Sequence, residues 1–319
     1  MGIKFHLASI VEPSSSNVSC LSNFIGQDSA IRKLRFFVKS ASKDCPFPTL
    51  LFTGSHGLGK TFLAERVAKA LSRELLVVNC GSVKKKDQFI SDFLLNISKP
   101  TTLFFDESHK LSSEITTLLL TLLNPNKNNK NELLYKGFDI VYDLSLINVI
   151  FATTDAHMMF RPLQNRCFQI YFSTYQKSDL IEILKLYLGD IIIDCNLDEL
   201  SDACRSRARD AFVLAQNIKR YTSLNRRNKF TQEDWSDIKD IFEIFPMGLN
   251  KEEVKLLRKI KEYGAISCSN LALEMMVNED NIKSEIEVRL RELGLIENTT
   301  KGRKITEKGQ KYFLEYSVD

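Results

Sequence analysis

Long apolar runs and paired cysteines are both missing from this sequence. No stretch approaches the roughly 18 apolar residues that a membrane-spanning helix needs, so no membrane association is predicted. The seven cysteines are scattered, and none forms a C-x-x-C pair. This spacing argues against a disulfide framework or a zinc site and favours a reducing, cytoplasmic compartment. The first six residues contain neither a signal-peptide core nor a myristoylation signal.

A strong net charge is absent as well. The 319 residues carry a formal net charge of +4, with 44% hydrophobic and 26% charged residues, which is typical of a soluble globular protein. Such a mild positive charge permits binding to a polyanion but does not argue for it. Nucleic-acid binding therefore has to be inferred from local patches. The length predicts two or three domains.

The chain begins its regular pattern at about residue 23. From there to residue 173, apolar strands alternate with amphipathic helices, as in a parallel sheet covered by helices on both faces. We expect strands at residues 49–53, 75–79, 102–105, 148–153 and 169–172. A polar run at residues 124–131 predicts a surface turn, and Lys136-Gly137 between two apolar stretches predicts a β-hairpin. Residues 175–245 have a wholly helical pattern, which Pro246-Met247-Gly248 ends.

The clearest motif is a glycine-rich turn, Gly54-Ser55-His56-Gly57-Leu58-Gly59-Lys60-Thr61, between a strand and a helix. This pattern in this context predicts a phosphate-binding loop (P-loop) for ATP, because the glycines let backbone amides face phosphates and the helix N-terminus adds partial positive charge. Lys60 is expected to reach the β- and γ-phosphates, and Thr61 to place its hydroxyl on Mg²⁺. We count Phe62 among the nucleotide contacts, together with Gly54, Gly57, Leu58 and Gly59.

A second motif is the acidic pair Asp106-Glu107, at the end of the third apolar strand. Beside a P-loop, Asp106 is expected to hold the Mg²⁺ shell and Glu107 to orient and polarise the attacking water. Alone, an acidic pair at this place is more often a helix cap, but the P-loop favours catalysis. His109 follows closely, and a surface position and a coupling role both stay open for it.

The last seventy-odd residues predict a winged helix, with helices at residues 251–263, 269–276 and 280–293 and a hairpin at 298–306. Lys301, Arg303 and Lys304 near the hairpin tip are candidate contacts to DNA phosphates. The third helix mixes acidic and basic residues, so binding through the wing without sequence preference is favoured over base reading. A winged helix used for protein contact is the alternative.

Together these motifs resemble the AAA+ ATPases, and specifically the RuvB family of Holliday-junction branch-migration motors. The resemblance extends over residues 23–313 and adds four segments to those above: the entry motif at 23–27, sensor 1 at 152–154, the arginine-finger segment at 162–166 and the sensor 2 region at 205–209. It implies that Phe24 and Ile25 pack on adenine. It also implies that Thr154 and Arg209 sense the nucleotide and that Arg166 acts on the neighbouring subunit's ATP.

Several positions depart from the family's pattern. Two prolines of the family's P-loop are Ser55-His56 here, and Ser108 replaces an isoleucine. Asp155 and Gln164 replace arginines, and Ser206-Arg207-Ala208 replaces Gly-Thr-Pro before sensor 2. The family's partner RuvA docks on a hairpin between the Walker B helix and sensor 1. Residues 124–146 depart from the pattern there, which leaves a RuvA-like partner open.

The predicted fold class is α/β, with a P-loop AAA+ core (a parallel sheet between helices), an all-helical lid and a C-terminal winged-helix domain. We assign residues 1–22 to an N-terminal leader, 23–174 to the large ATPase domain, 175–246 to the lid and 247–319 to the winged helix.

The main functional hypothesis is a homo-oligomeric, hexameric-ring ATPase. It would use ATP and Mg²⁺ to drive a helicase-like motor on duplex or four-way-junction DNA in recombination or repair. The alternative is an ATP-switched DNA-binding or assembly factor that does not translocate, such as a clamp-loader-like, phage, mobile-element or defence-complex subunit. A third hypothesis is a remodeller of protein substrates.

Overall fold

The computed structural model describes residues 20–21, 24–42, 45–124 and 130–316. Nearly all of the predicted leader, together with Asn23 and most of the predicted surface turn, lies outside the described residues. The chain divides into two compact units, Met1–Tyr175 and Gln176–Asp319. The boundary predicted between lid and winged helix falls inside the second unit and stays a prediction. No helix in the described part of the chain has the length and apolar character needed to cross a membrane.

The first unit is built on a five-stranded sheet with the order β2-β3-β6-β1-β7, in which all neighbours are parallel. The strands are β1 (Leu50–Thr53), β2 (Glu74–Asn79), β3 (Thr101–Asp106), β6 (Ile147–Thr153) and β7 (Phe168–Tyr171). The three central strands are almost wholly buried, since helices cover both faces of such a sheet. Phe105 and Phe151 stack in its core with ring centroids 5.0 Å apart. The predicted parallel sheet is confirmed.

The described residues of this unit form five α-helices: α1 (Asp28–Ser40), α2 (Lys60–Ala70), α3 (Lys86–Asp92), α4 (Ser113–Leu122) and α5 (Arg161–Gln164). Helix α1 buries Ala30, Ile31, Leu34 and Val38 at helical spacing, which is how an amphipathic helix covers a sheet. Helix α4 is capped by Ser112, whose hydroxyl accepts a hydrogen bond from the amide of Ile115. These helices leave the carboxyl edge of the sheet to the connecting loops.

The predicted hairpin is present between α4 and β6. Strands β4 (Lys130–Tyr135) and β5 (Phe138–Asp143) pair antiparallel. Lys136 and Gly137 form the turn with φ of +49° and +82°. Positive φ at both central residues is the signature of the two-residue turn that matches strand twist. The Asn131 side chain donates 2.7 Å to the carbonyl of Leu122 and so ties the hairpin base to α4.

The second unit begins with the lid, which consists of α6 (Lys177–Leu188), α7 (Leu197–Ala203), α8 (Ala208–Leu224) and α9 (Gln232–Ile241). It also contains a short parallel pair, β8 (Ile192–Asp194) and β9 (Lys229–Thr231). The prediction of a wholly helical lid was therefore wrong in this detail. Phe230 of β9 is fully buried, so its burial in the lid core outweighs the weak local signal of a three-residue strand.

The winged helix follows with α10 (Lys251–Tyr263), α11 (Cys268–Met275), α12 (Glu279–Asn281), α13 (Glu287–Glu292) and α14 (Glu307–Tyr316). A π-helical stretch, Ile282–Ile286, joins α12 to α13, so the predicted third helix is present with a wider turn in its middle. Strands β10 (Ala265–Ile266), β11 (Ile296–Thr299) and β12 (Gly302–Ile305) form an antiparallel sheet in the order β10-β12-β11. Helix α14 was not predicted; it buries Tyr312 and Phe313.

Candidate nucleotide site

The P-loop connects β1 to α2 at the carboxyl edge of the sheet, where ligands bind in open α/β folds. Gly59 precedes α2 with φ of +91°, a conformation that glycine adopts without strain. A methyl group on Gly59 would lie 3.3 Å from the Phe24 ring and 3.4 Å from the Tyr175 hydroxyl. A side chain at this position would therefore fill the space beside the loop.

Lys60 is buried and bonded to its own loop. Its ammonium donates to the carbonyl oxygens of Gly54 and, at 2.8 Å, of Ser55. Burial lowers the pKa of Lys60, while the nearby charges of Glu107 and Asp106 act in the opposite direction. The structure thus brings the predicted phosphate lysine close to both predicted carboxylates.

The acidic pair lies where β3 ends. The Asp106 carboxylate accepts a hydrogen bond from the amide of Glu107 at 3.1 Å. Glu107 itself has φ of +53°, which is uncommon for a residue with a side chain. Such local strain often accompanies functional residues. It turns the chain sharply after the strand and into the short 3-10 helix Ser108–Lys110.

Two imidazoles approach the Glu107 carboxylate. His56 Nδ1 of the P-loop lies 3.6 Å from Oε1, and His109 Nε2 lies 3.5 Å from Oε2. The other ring nitrogen of His109 is 2.9 Å from the hydroxyl of Thr153 on β6. His109 thus links the acidic pair to the predicted sensor strand, whereas sequence reasoning had left its role open. The hydroxyl of Thr154, the predicted sensor residue, donates instead to Asp155 at 3.2 Å.

A pair of aromatic rings lies beside the loop. The rings of Phe24 and Phe62 are 5.9 Å apart, and Phe62 is 44% exposed. Ile25 is half-buried in the same entry segment. The Tyr175 hydroxyl donates to the carbonyl of Leu58 at 3.2 Å. Sequence reasoning missed Tyr175, and only its position four residues after the last strand of the sheet could have suggested it.

Oxygen ligands for a metal ion are available at the site. The Thr61 side chain is exposed at the start of α2, and Asp106 supplies a carboxylate. Both are ligands of the type that Mg²⁺ prefers. In the described part of the chain, no group of three or more His, Cys, Asp and Glu side chains could hold a metal ion. These residues fit a Mg²⁺ ion that takes its remaining ligands from nucleotide phosphates and water.

The two predicted arginines belong to different units of the chain. Arg166 is exposed after α5, and its guanidinium donates to the carbonyl of Leu120 on α4. Gln164, where the family has an arginine, donates to the carbonyls of Ala156 and Met159 inside the unit. Arg209 is exposed on the first turn of α8, in the second unit. The roles of Arg166 and Arg209 stay predictions.

The three basic residues of the wing differ in their surroundings. Lys301 and Lys304 are exposed on the β11–β12 hairpin. Arg303 donates to buried Glu287 through Nε at 2.7 Å and through Nη2 at 3.1 Å. Such a two-point contact uses two of the guanidinium's five N–H donors and fixes its plane, so Arg303 has a structural partner inside the domain. A DNA contact by Arg303 stays a prediction.

Two family profiles match the chain. One is described as the Holliday junction DNA helicase RuvB P-loop domain and matches residues 17–173. The other is the RuvB C-terminal winged helix domain and matches residues 246–314. The chain is a RuvB-like AAA+ protein. The family resemblance and the fold class expected from the sequence are therefore confirmed.

Individual relatives match over almost the whole chain. The Holliday junction branch migration complex subunit RuvB of Pseudothermotoga lettingae is 27% identical over 299 residues, covering 90% of this chain and 86% of the relative. The protein of the same name from Mesomycoplasma hyopneumoniae is 28% identical over 314 residues, covering 94% and 97%. The Thermotoga maritima RuvB Holliday junction branch migration motor has the same fold, with a TM-score of 0.76 at 24% identity, covering 94% and 98%.

Proposed function

We propose that this RuvB-like protein is an ATP-driven motor that acts on branched duplex DNA as a homo-oligomeric, hexameric ring. The observation that carries the proposal is the combination of a P-loop site next to an acidic pair with a RuvB-type winged helix in one chain. Curated relatives of similar length are named as subunits of the Holliday junction branch migration complex. The seven free cysteines agree with work in a reducing cytoplasm.

ATP hydrolysis uses the residues around the P-loop. The Lys60 ammonium now donates hydrogen bonds to two carbonyl oxygens. When ATP binds, phosphate oxygens replace these acceptors, so the number of hydrogen bonds made by Lys60 is kept. Thr61 and Asp106 hold Mg²⁺, which neutralises negative charge on the phosphates when it is bound. Glu107 orients and polarises the attacking water. Movement of its carboxylate away from His56 frees it for that contact.

The aromatic pair and Ile25 bind the base. Phe24 and Ile25 pack against adenine, and Phe62, whose ring contacts that of Phe24, extends the same apolar surface. Tyr175 lies beside this surface, since its hydroxyl is within hydrogen-bond distance of the loop. Flat apolar rings favour a planar base without reading it, so this surface contributes affinity for the nucleotide more than discrimination between bases.

The remaining contacts couple subunits and DNA. Arg166 stabilises the charge that develops on the neighbouring subunit's ATP; its side chain is exposed, and its guanidinium leaves the carbonyl of Leu120 to make that contact. Thr154 and Arg209 respond to the γ-phosphate. Lys301 and Lys304 contact the DNA backbone without sequence preference. The hairpin β4–β5 is the place for a RuvA-like partner to dock.

ATPase measurements with and without a four-way junction test the proposal. We expect junction DNA to stimulate hydrolysis. Because removing a catalytic base typically costs about 100- to 10,000-fold, Glu107→Gln should lose hydrolysis to that extent and still bind ATP. The control is Glu114→Gln, which removes an exposed carboxylate from the nearby helix α4. Full activity of Glu107→Gln would contradict the role of that residue.

A mixing experiment tests the site between subunits. Neither Arg166→Ala nor Glu107→Gln is expected to hydrolyse ATP alone. In a mixed ring, an Arg166→Ala subunit still has Glu107, and a neighbouring Glu107→Gln subunit still has Arg166. The ATP site between these two subunits therefore contains both residues. Partial activity should therefore return on mixing. Arg166 acting within its own subunit would give no recovery.

A second candidate is an ATP-switched DNA-binding factor that does not translocate. It is favoured by Gln164, which replaces a family arginine and is held inside the unit by two carbonyls. One charge of the finger segment is therefore missing. A branch-migration assay separates the two candidates. ATP-dependent binding to a junction without strand exchange would support the switch over the motor.

A further inference from the structure

A buried ion pair connects the lid to the winged helix. Arg205 follows the lid helix α7, and its Nη2 donates to Glu253 Oε1 on α10 of the winged helix. The Glu253 side chain is 1% exposed and that of Arg205 is 19% exposed. A charge buried to this degree is tolerated when it is paired and hydrogen-bonded, so each of the two groups depends on the other.

The same carboxylate also caps the first winged-helix element. Glu253 Oε2 accepts a hydrogen bond from the amide of Asn250 at 2.8 Å, and the Asn250 side chain accepts one from the amide of Glu253 at 2.8 Å. This reciprocal pair is a capping box at the start of α10. Glu253 therefore caps the start of α10 and forms the ion pair with Arg205 of the lid at the same time.

Arg205 stands directly before the predicted sensor helix. Arg205 and Ser206 have φ of +52° and +58°, and Arg207 is the N-cap of α8, whose second residue is Arg209. Two successive left-handed residues with side chains persist only where the surroundings hold them. The bond to Glu253 supplies such a hold on the turn that presents Arg209.

The connecting segment Pro246–Gly248 is also held from both sides. Gly248 lies so close to the lid that a methyl group on it would be 2.1 Å from the carbonyl oxygen of Asp202 on α7. On the other side, Arg289 of α13 donates to the carbonyl of Met247 at 3.4 Å, and the Tyr312 hydroxyl donates to that of Pro246 at 3.3 Å. This segment is therefore packed and does not form a free hinge.

We propose that the Arg205–Glu253 ion pair makes the lid and the winged helix one lever, so that a nucleotide change sensed at Arg209 moves the winged helix. Arg205 and Glu253 are positioning residues, since neither contacts the nucleotide in this scheme. The proposal rests on the proposed motor function. Without the pair, the lid still responds to ATP, but only the contacts of residues 246–248 remain to carry its movement, so less of that movement is passed to DNA.

The first test measures coupling in the full-length ring. Glu253→Gln keeps an oxygen for the Asn250 amide and removes the charge that Arg205 needs. Hydrolysis without DNA is measured as well, because the same bond holds the turn before Arg209, and the quantity compared is junction movement per ATP hydrolysed. Junction movement per ATP hydrolysed should fall about 5- to 150-fold, the range of typical coupling free energies between sites. The control is Glu252→Gln, its exposed neighbour on α10, which should leave both quantities unchanged.

The second test measures rigidity directly. Spin labels replace Leu224 on the lid and Met276 on the winged helix, which are 83% and 92% exposed. They are introduced as a non-canonical amino acid so that native cysteines do not react, and labelled subunits are diluted into unlabelled protein. The distance between labels should be the same with ADP and with a slowly hydrolysed ATP analogue. In Glu253→Gln the distribution should broaden.

The outcomes separate the lever from the motor. A nucleotide-dependent distance in the unchanged protein, or normal coupling in Glu253→Gln, would overturn the lever. No junction movement by the unchanged protein would instead refute the motor, while the distance measurement would still decide on the lever. If Glu253→Gln does not fold, Arg205→Lys takes its place. It keeps the charge but loses the planar fork, and its coupling should fall in the same direction.

Discussion

Gly248 offers a test of how tightly the lid and the winged helix are joined. It has φ of +71°, and a Cβ atom would lie 2.1 Å from the carbonyl oxygen of Asp202 and 3.1 Å from Cα of Ala203. Gly294 has nearly the same φ, +68°, but its Cβ would meet nothing within 4 Å. The effects of Gly248→Ala and Gly294→Ala on stability should therefore differ mainly by the clash with the lid, which only Gly248→Ala introduces.

The expected magnitudes follow from this comparison. A left-handed alanine costs roughly 1–2 kcal/mol, and this is the whole expected effect of Gly294→Ala. Gly248→Ala adds the displacement of backbone against backbone, for which overpacking costs of about 1–3 kcal/mol are typical. Neither partner is a flexible side chain that could move aside. We therefore expect Gly248→Ala to lower the free energy of unfolding by about 2–5 kcal/mol.

The only tryptophan of the chain, Trp235, gives a convenient assay. It is 1% exposed in the lid, and its Nε1 donates to Glu199 at 2.9 Å. Its fluorescence during urea unfolding thus reports on the second unit. The midpoint for Gly248→Ala should lie clearly below that for Gly294→Ala. Equal midpoints would show that residues 202 and 248 are not in the close contact described above.

Three further predictions concern charge and protonation. For the double variant Lys301→Ala, Lys304→Ala, a plot of log affinity for duplex DNA against log salt concentration should be shallower by about 1.8 per wing, because two phosphate contacts are lost. An unchanged slope would show that these two lysines do not contact DNA phosphates. Burial raises the pKa of the Cys80 thiol to about 12, so at pH 8 a thiol reagent should label the exposed Cys45 and reach Cys80 only after unfolding. Burial lowers the pKa of Lys60, while phosphates bind its charged form. ATP affinity should therefore fall with rising pH before the ordinary lysine pKa of 10.5 is reached. Lys60→Arg keeps its charge over this range, so its ATP affinity should not show this fall.

The core of the ATPase unit was predictable because its signals are local. The P-loop, its preceding strand and its following helix are adjacent in sequence, and the acidic pair marks the end of a buried strand. Buried parallel strands appear as continuous apolar runs, which locates them within one or two residues. Phe24 and Phe62 are far apart in sequence, and the family resemblance that named Phe24 did not predict their 5.9 Å contact.

Elements that depend on tertiary contact were not predictable. The strands β8 and β9 have three residues each and are separated by two helices, so no local pattern announces their pairing. Helix α14 has only a narrow apolar stripe. It could not be recognised from the sequence, because its helical conformation depends on the packing of Tyr312 and Phe313 into the core of the domain. Local propensity is a weak prior where packing decides the conformation.

The surroundings of Glu107 were equally hidden. The sequence indicates a carboxylate at the strand end, but its left-handed backbone and its two imidazole neighbours follow from how the P-loop meets the segment after β3. One neighbour, His56, occupies a position where the RuvB family has proline. This chain therefore places an imidazole 3.6 Å from its predicted catalytic carboxylate, which a proline could not provide.

The wing shows how one buried contact changes what a basic residue can do. Arg303 is committed to Glu287, so each subunit offers the exposed pair Lys301 and Lys304 at this hairpin. Two phosphate contacts give weak, salt-sensitive binding. In the proposed ring, several wings would act on the same duplex, and each bound wing would raise the effective concentration of the next. Firm attachment to DNA would then require the whole ring, and each subunit could still release the DNA backbone during a single ATP cycle.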